Sequence, residues 1–388
     1  LVPNPAIVLD DAAGVYEDVR AECGPALDES ACHDLHTRAQ DGVIGNPSLR
    51  MHQCGQLEAC VSKRIENAPT RTIFGRRSDT DGGEGGSSRA KCAELVVAAD
   101  HDAKRKAHAG KAPKKLLSIT DANSRRPELQ FDATTIVTPN SIGRVVLNDY
   151  PLDALLETID WMPFFNAWEF SGKFPDILND PRKGPEARKL YNDAQAMLEK
   201  IIDEKWLRAD AVAGCFPAYS EGNSIVILDP DNHERELLRT HWLRQQRPMP
   251  DGKPQLCLSD FIAPKESGQI DYIGAFAVTT GHGIDRHVKA FEDAHDDYQA
   301  ILLKALADRF AESFAEHLHR RVRTEFWGYA PDESLSNDEL IREKYRGIRP
   351  APGYPSCPDH REKRSLWSLL DVESATGIAL TESLAMWP

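Results

Sequence analysis

The sequence predicts an α+β fold, and three observations point to it. Residues 185–206 (PEARKLYNDAQAMLEKIIDEKW) place apolar residues three and four apart, the period of an amphipathic helix. A longer stretch of the same period spans roughly 285–327. Between them lie four β-rich stretches bounded by turn formers: AVAGCFPAY, SIVIL, QLCLSDFIA and DYIGAFAVTTG. Strands grouped in a block between helices indicate an antiparallel sheet flanked by long helices, not a regular βαβ alternation.

Taken in order, residues 1–89 carry no readable period and are expected to be unassigned and partly disordered. Five of the eight cysteines fall at or before Cys92, and Asp81–Ser88 (DGGEGGSS) has linker composition. Residues 90–148 read as a helix from Ala90 to about Lys106, followed by a basic, proline-containing connection. The main domain is expected over 149–388. DYPLDALLETIDWMPFFNAWEF opens it with a helix start and a turn at Pro163. Pro185 suits the first turn of the next helix, where its missing N–H is not needed. The 285–327 segment has no glycine or proline break, so its stripe from Phe291 through Phe310 and Phe314 to Phe326 predicts one continuous helix. Short helices are expected near 336–346, 362–376 and 381–387. RPAPGYPSCPDH, Arg349–His360, holds four prolines and can be neither helix nor central strand.

Composition narrows the function classes. The chain has 388 residues, 28% charged, with a net charge of −14. Residues 150–388 hold 40 acidic side chains against 28 basic ones. That balance argues against nucleic acid and against adsorption to anionic lipid. No run of about 18 apolar residues predicts a membrane span. The first residues lack a basic region before an apolar core, so no secretory signal is expected. The cysteines show no CxxC pair and read as reduced thiols of a cytoplasmic protein.

Two ExxH motifs, Glu292/His295 and Glu316/His319, lie 24 residues apart on the single expected helix. At about 1.5 Å per residue they are too far apart to share a metal, and both read as solvated helix faces. TTGHGIDRH has Arg286 where a dinucleotide fingerprint needs its third glycine, so it reads as a strand-to-helix turn. No GxSxG, P-loop or zinc spacing occurs.

The proline-rich segment is the more informative one. A stiff loop is already ordered before a ligand arrives. Arg349 offers a permanently charged planar fork suited to a carboxylate. Tyr354 offers an aromatic face and a hydroxyl. The same residues also suit a purely structural crossing loop.

RPAPGYPSCPDH resembles the RxxxGY signature of the activation domain of cobalamin-dependent methionine synthases. IDWMPFFNAWEFSGKFP, LRQQ, DFIAPKESGQIDYIGAFAVTTG, AHDDYQAILLKALADRFAESFAEHLH, WGYAPDESLSN and LTESLAMWP are similar to the same family, in the same order. The resemblance covers about 145–388 and extends loosely back to Ala90. It implies an S-adenosylmethionine site in which Asp160 meets the ligand's ammonium and Arg349 its carboxylate. Backbone at Ala351, Gly353 and Tyr354 would hold adenine and ribose. Glu312 and Glu343 match two further glutamates near the ligand and the cobalamin contact, although the helical wheel turns Glu312 away from the apolar stripe. No side chain here is implied as nucleophile or general base.

The implied partners are a cobalamin-binding module, in cis or in trans, and a flavodoxin-type reductase. Cobalamin would be met only through that module. DLHTRA (Asp34–Ala39) nearly matches a cobalamin-ligating DxHxxG motif, but Ala39 replaces the glycine and the match reads as chance. The family continues beyond the position of Pro388 with a segment like SGxYFSHP and a further ligand-contacting tyrosine. The domain is therefore expected to be C-terminally truncated. This leaves open the alternative of a docking domain or remnant that has lost the ligand.

Overall fold

The computed structural model describes residues 7–12, 101, 105, 116–250 and 252–388. The chain divides into two units, 1–18 with 116–388, and 19–115; in the second, only His101 and Arg105 are described, both helical. The DLHTRA motif and the DGGEGGSS linker lie outside the described residues.

The first unit is built on a six-stranded sheet. Its strands are β1 (Ile7–Ala12), β2 (Gly143–Tyr150), β3 (Arg208–Glu221), β4 (Ser224–Leu228), β5 (Glu236–His241) and β6 (Asp271–His282). The path runs β1-β6-β3-β4-β5, with β2 also paired to β3. All pairings are antiparallel except β1 with β6. Strand β3 is long enough to serve two partners on one edge, β2 over Ala209–Cys215 and β4 over Ala218–Glu221. Pro217, which cannot donate to a ladder, stands at the junction of the two.

Side chains of β3 and β6 alternate between two cores, one on each face of the sheet. Ala211, Ala213, Phe276 and Val278 face the larger helices, whereas Val212, Phe216, Ile273, Ala275 and Ala277 face the C-terminal part of the chain. The helices are α1 (Ile119–Asn123), α2 (Trp161–Ala167), α3 (Gly184–Asp203), α4 (Ile284–Asp293), α5 (Asp297–Arg321), α6 (Asn337–Ile341), α7 (Glu362–Leu370) and α8 (Val372–Thr376). Helices α2, α3 and α5 fill the first core, and α7 with α8 the second. Among the described residues, no helix is long and apolar enough to cross a membrane. Cys215, Cys257 and Cys357 are buried thiols.

Several sequence expectations need correction. The 285–327 segment is two helices, not one. His295 turns to φ 57, and Asp296 restarts the chain by accepting from the backbone N–H of Gln299. An aspartate N-cap needs no glycine or proline to break a periodic pattern, which is why the stripe concealed it. QLCLSDFIA is not a strand; Leu258–Phe261 is a 3-10 turn whose Asp260 caps its own backbone. Strands β2 and β5 were missed because their apolar residues alternate weakly. Pro163 lies inside α2, in its first turn, and makes no turn of its own. Residues 381–387 are not helical; Ala379–Leu380 and Met386–Trp387 pair as β7 and β8. TTGHGIDRH is a strand-to-helix turn, as expected. Gly283, φ 97, allows it, since a Cβ there would lie 2.7 Å from the Trp206 carbonyl oxygen.

Candidate functional site

Helix α5 organises the site. From Leu302 to His319 it is buried on nearly every side, because the sheet covers one flank and the chain around Leu155 and Tyr329–Tyr345 covers others. This reverses the solvated reading of Glu316/His319. His319 is fully buried, and the Glu316 side chain is 12% exposed. Glu312, one turn earlier on α5, is half-buried rather than solvent-facing.

Asp160 stands at the start of α2. Its Oδ1 accepts from the N–H of Met162 at 3.0 Å, so it is an N-cap. The helix it caps is anchored by Trp161, whose ring meets Phe164 and Tyr191 edge-on at 5.6 and 4.9 Å. Just before it, the Thr158 hydroxyl bonds Ser313 Oγ of α5 at 2.8 Å, and Ser313 Oγ also donates to the Leu155 carbonyl. The Ile159 carbonyl accepts from Asn337 Nδ2 at 3.0 Å, which ties the start of α6 to the same place.

Arg349 reaches α5 from the chain that follows α6. Its Nη2 donates to Glu316 Oε2 at 3.1 Å. Ser313 and Glu316 are three residues apart, about 4.5 Å of helix rise. Thr158, two residues before Asp160, and Arg349, 189 positions after Asp160, are thus both held by a single turn of α5. Tyr345 joins them: burial pushes its hydroxyl up to about 12, while Arg349 acts to lower it and Glu316 and Glu343 to raise it. Glu343 is exposed, with φ 52, an unusual backbone for a non-glycine residue.

The loop after Arg349 is folded on itself. Gly353 N–H donates to Cys357 O at 2.7 Å, Tyr354 N–H to Ala351 O at 3.2 Å, and Cys357 N–H to Tyr354 O at 2.8 Å. Gly353 sits at φ 110, and any Cβ there would overlap the His360 ring. Two of the backbone donors expected to read a ligand are therefore used inside the loop. The Ala351 N–H and Gly353 C=O have no protein partner among the described residues, and Tyr354 is 36% exposed.

Behind Glu316 lies a cluster that the sequence did not reveal. Arg323 is fully buried on a π-helical turn, Val322–Phe326, a distortion frequent at functional sites. It grips Glu333 through Nε at 2.8 Å and Nη2 at 2.6 Å, donates to His319 Nδ1 at 2.5 Å, and lies 4.3 Å from the Tyr345 ring centre. Its Nη1 is 3.9 Å from Glu316 Oε1. Burial, and then the nearby Arg323 and Arg349, hold His319 neutral far below the usual histidine range. The donation to Nδ1 leaves the proton on Nε2, which has no partner. Glu316 Oε1, Tyr329 Oη and Asn337 Oδ1 are likewise buried without hydrogen bonds. Buried polar atoms are ordinarily satisfied, so this cluster stands out. No spacing rule announces such a cluster, because charged residues on a helix are by default solvated.

Among the described residues, no group of three or more histidine, cysteine or carboxylate side chains could hold a metal. The arrangement instead offers a cation, Arg349, held on one turn of α5, with the segment that leads into Asp160 held on the same turn and a preformed loop following Arg349.

Comparison with known proteins shows the family. A solved structure described as the MetH reactivation domain bound to AdoHcy is 48% identical, covers 70% of this chain and 83% of its own, and superposes with a TM-score of 0.68. The family model for the vitamin B12-dependent methionine synthase activation domain matches residues 151–388. The chain belongs to the family of vitamin B12-dependent methionine synthase activation domains.

Proposed function

We propose that this chain is an S-adenosylmethionine-binding reactivation module that serves a cobalamin-binding methyltransferase module. The observation that carries the reading is that one turn of α5 holds both Thr158, two residues before Asp160, and Arg349, in a chain 48% identical to a reactivation domain bound to AdoHcy. Arg349 would hold the methionine carboxylate, and Asp160 Oδ2, the oxygen not used in capping, would accept from the ammonium. Ala351 N–H and Gly353 C=O would meet the nucleoside, with Tyr354 alongside. Glu312 would line the same cleft, and Glu343, exposed beside Tyr345, would face the cobalamin module.

When bound, S-adenosylmethionine supplies the methyl group. The protein's share is alignment and exclusion of water, with no side chain acting as nucleophile or base. Electrons would come from a flavodoxin-type reductase, and cobalamin would be met only on the partner module. The chain alone is therefore not a complete methyltransferase.

Titration of the full chain with S-adenosylhomocysteine by calorimetry tests the reading. Saturable binding should fall by at least about tenfold in Arg349→Ala and in Asp160→Asn, since each removes a charge-assisted contact. A flat titration of the folded wild-type chain would identify a docking domain without ligand.

A further inference from the structure

We propose that Glu316 is the positioning residue of the ligand site, holding the Arg349 guanidinium in the orientation that receives a carboxylate. The inference rests on the reading of Arg349 as the carboxylate partner and adds a residue that does not itself touch ligand.

Arginine's value at such a site is its planar fork, which grips a carboxylate only when the plane is correctly turned. A long side chain left to itself samples many rotamers and must be ordered on binding. Arg349 is only 18% exposed, and Glu316 Oε2 takes one of its Nη2 protons. Tyr345 lies against the same guanidinium.

Glu316 is in turn placed from behind. It stands on the buried midsection of α5, and its Oε1 faces Arg323 Nη1 at 3.9 Å. Arg323 cannot shift, because Glu333 holds it at two nitrogens, His319 accepts from a third, and the Tyr345 ring lies against its face. The relay therefore runs Glu333, Arg323, Glu316, Arg349, from fully buried to ligand-facing.

The experiment compares two ligands on the full chain. S-Adenosylhomocysteine carries the amino-acid end; 5′-methylthioadenosine keeps the nucleoside and thioether but lacks it. Glu316→Gln should weaken the first by at least about tenfold and leave the second within about twofold. Glu316→Gln/Arg349→Ala should bind S-adenosylhomocysteine no worse than Arg349→Ala alone, because the glutamate acts through the arginine. Equal weakening of both ligands, or additive losses in the double variant, would show a structural role only and overturn the proposal. Loss of binding in Arg349→Ala with none in Glu316→Gln would overturn it while leaving the carboxylate reading intact. No loss in Arg349→Ala would overturn both. Should Glu316→Gln fail to fold, Glu316→Asp keeps the charge but draws the carboxylate back by one methylene, and the same ligand comparison applies.

Discussion

Two buried arginine clusters in this molecule make a useful contrast. Arg244 is clamped by Asp260 through Nη1 at 2.7 Å and Nη2 at 2.5 Å, donates to the Gln255 carbonyl, and through Nε meets Asn123 and Asn223. Asp260 also accepts from Cys257 N–H at 2.8 Å. No atom of these residues is buried without a partner. The cluster joins α1, the turn after β3 and the 3-10 turn at Leu258, and it reads as structural. The Arg323 cluster is just as buried, yet Glu316 Oε1 and His319 Nε2 accept or donate no hydrogen bond and one end emerges at Arg349. The difference is one of closure: the Arg244 cluster completes its hydrogen bonds internally, and the Arg323 cluster does not.

The sharpest way to break this contrast is to open the closed cluster. Arg244→Ala leaves the buried Asp260 with only the half-exposed Arg126, 3.7 Å away, as a cation, and should cost roughly 3 kcal/mol in urea unfolding. At a temperature where the variant stays folded, its affinity for S-adenosylhomocysteine should be unchanged. An equal loss in affinity would mean that the two clusters are not separate in function.

The next effect is on pH. His317, between Glu316 and the Arg320–Arg321 pair, is lowered to about 4, mainly by burial and then by those arginines. Its neutral ring accepts from Arg320 at Nδ1 and bonds the Tyr150 hydroxyl through Nε2 at 2.8 Å. A base with a depressed folded value contributes fully above its unfolded value near 6.5, and that contribution is lost as pH falls toward 4. The unfolded chain then binds more protons than the folded one. Stability should fall by about 1.4 kcal/mol per pH unit in that window from this residue alone. His317→Gln should flatten the slope of the urea midpoint between pH 6.5 and 4.5 by that amount. An unchanged slope would show that the ring already titrates normally.

A smaller effect is expected in the ligand loop. Gly353→Ala meets both a left-handed backbone and the His360 ring, and should cost about 1–2 kcal/mol of stability. The loop must also shift, so binding of S-adenosylhomocysteine should weaken by more than the melting temperature suggests. Smallest of all, Lys289→Ala removes an exposed pair with Asp293. Its unfolding free energy should change by less than about 0.5 kcal/mol.

How much of this was legible beforehand varies by residue. The α3 helix was plain, because Leu190, Ala194, Met197 and Ile201 keep a strict period and all are buried. Strand β6 was plain for its unbroken apolar run, since it is covered on both faces. The break at His295 was not, because an aspartate cap leaves the spacing of apolar residues nearly unchanged. QLCLSDFIA misled because its apolar residues pack beside the sheet without joining it. Arg349, Gly353 and Tyr354 could be singled out because a run of prolines around an arginine is rare and chemically specific. Glu316, Arg323 and Glu333 could not, since a charged residue on a helix gives no sign of what will fold over it.

The sequence by itself determined the class of fold, the two long helices, the central strands and the presence of one stiff, arginine-led loop. These follow from local periodicity and from backbone restrictions that operate within a few residues. Only the tertiary structure decided that Thr158 and Arg349 meet the same turn of α5, and that Glu316 faces inward between two arginines. Burial of a charge is a property of what surrounds it, and those surroundings arrive from segments far away along the chain.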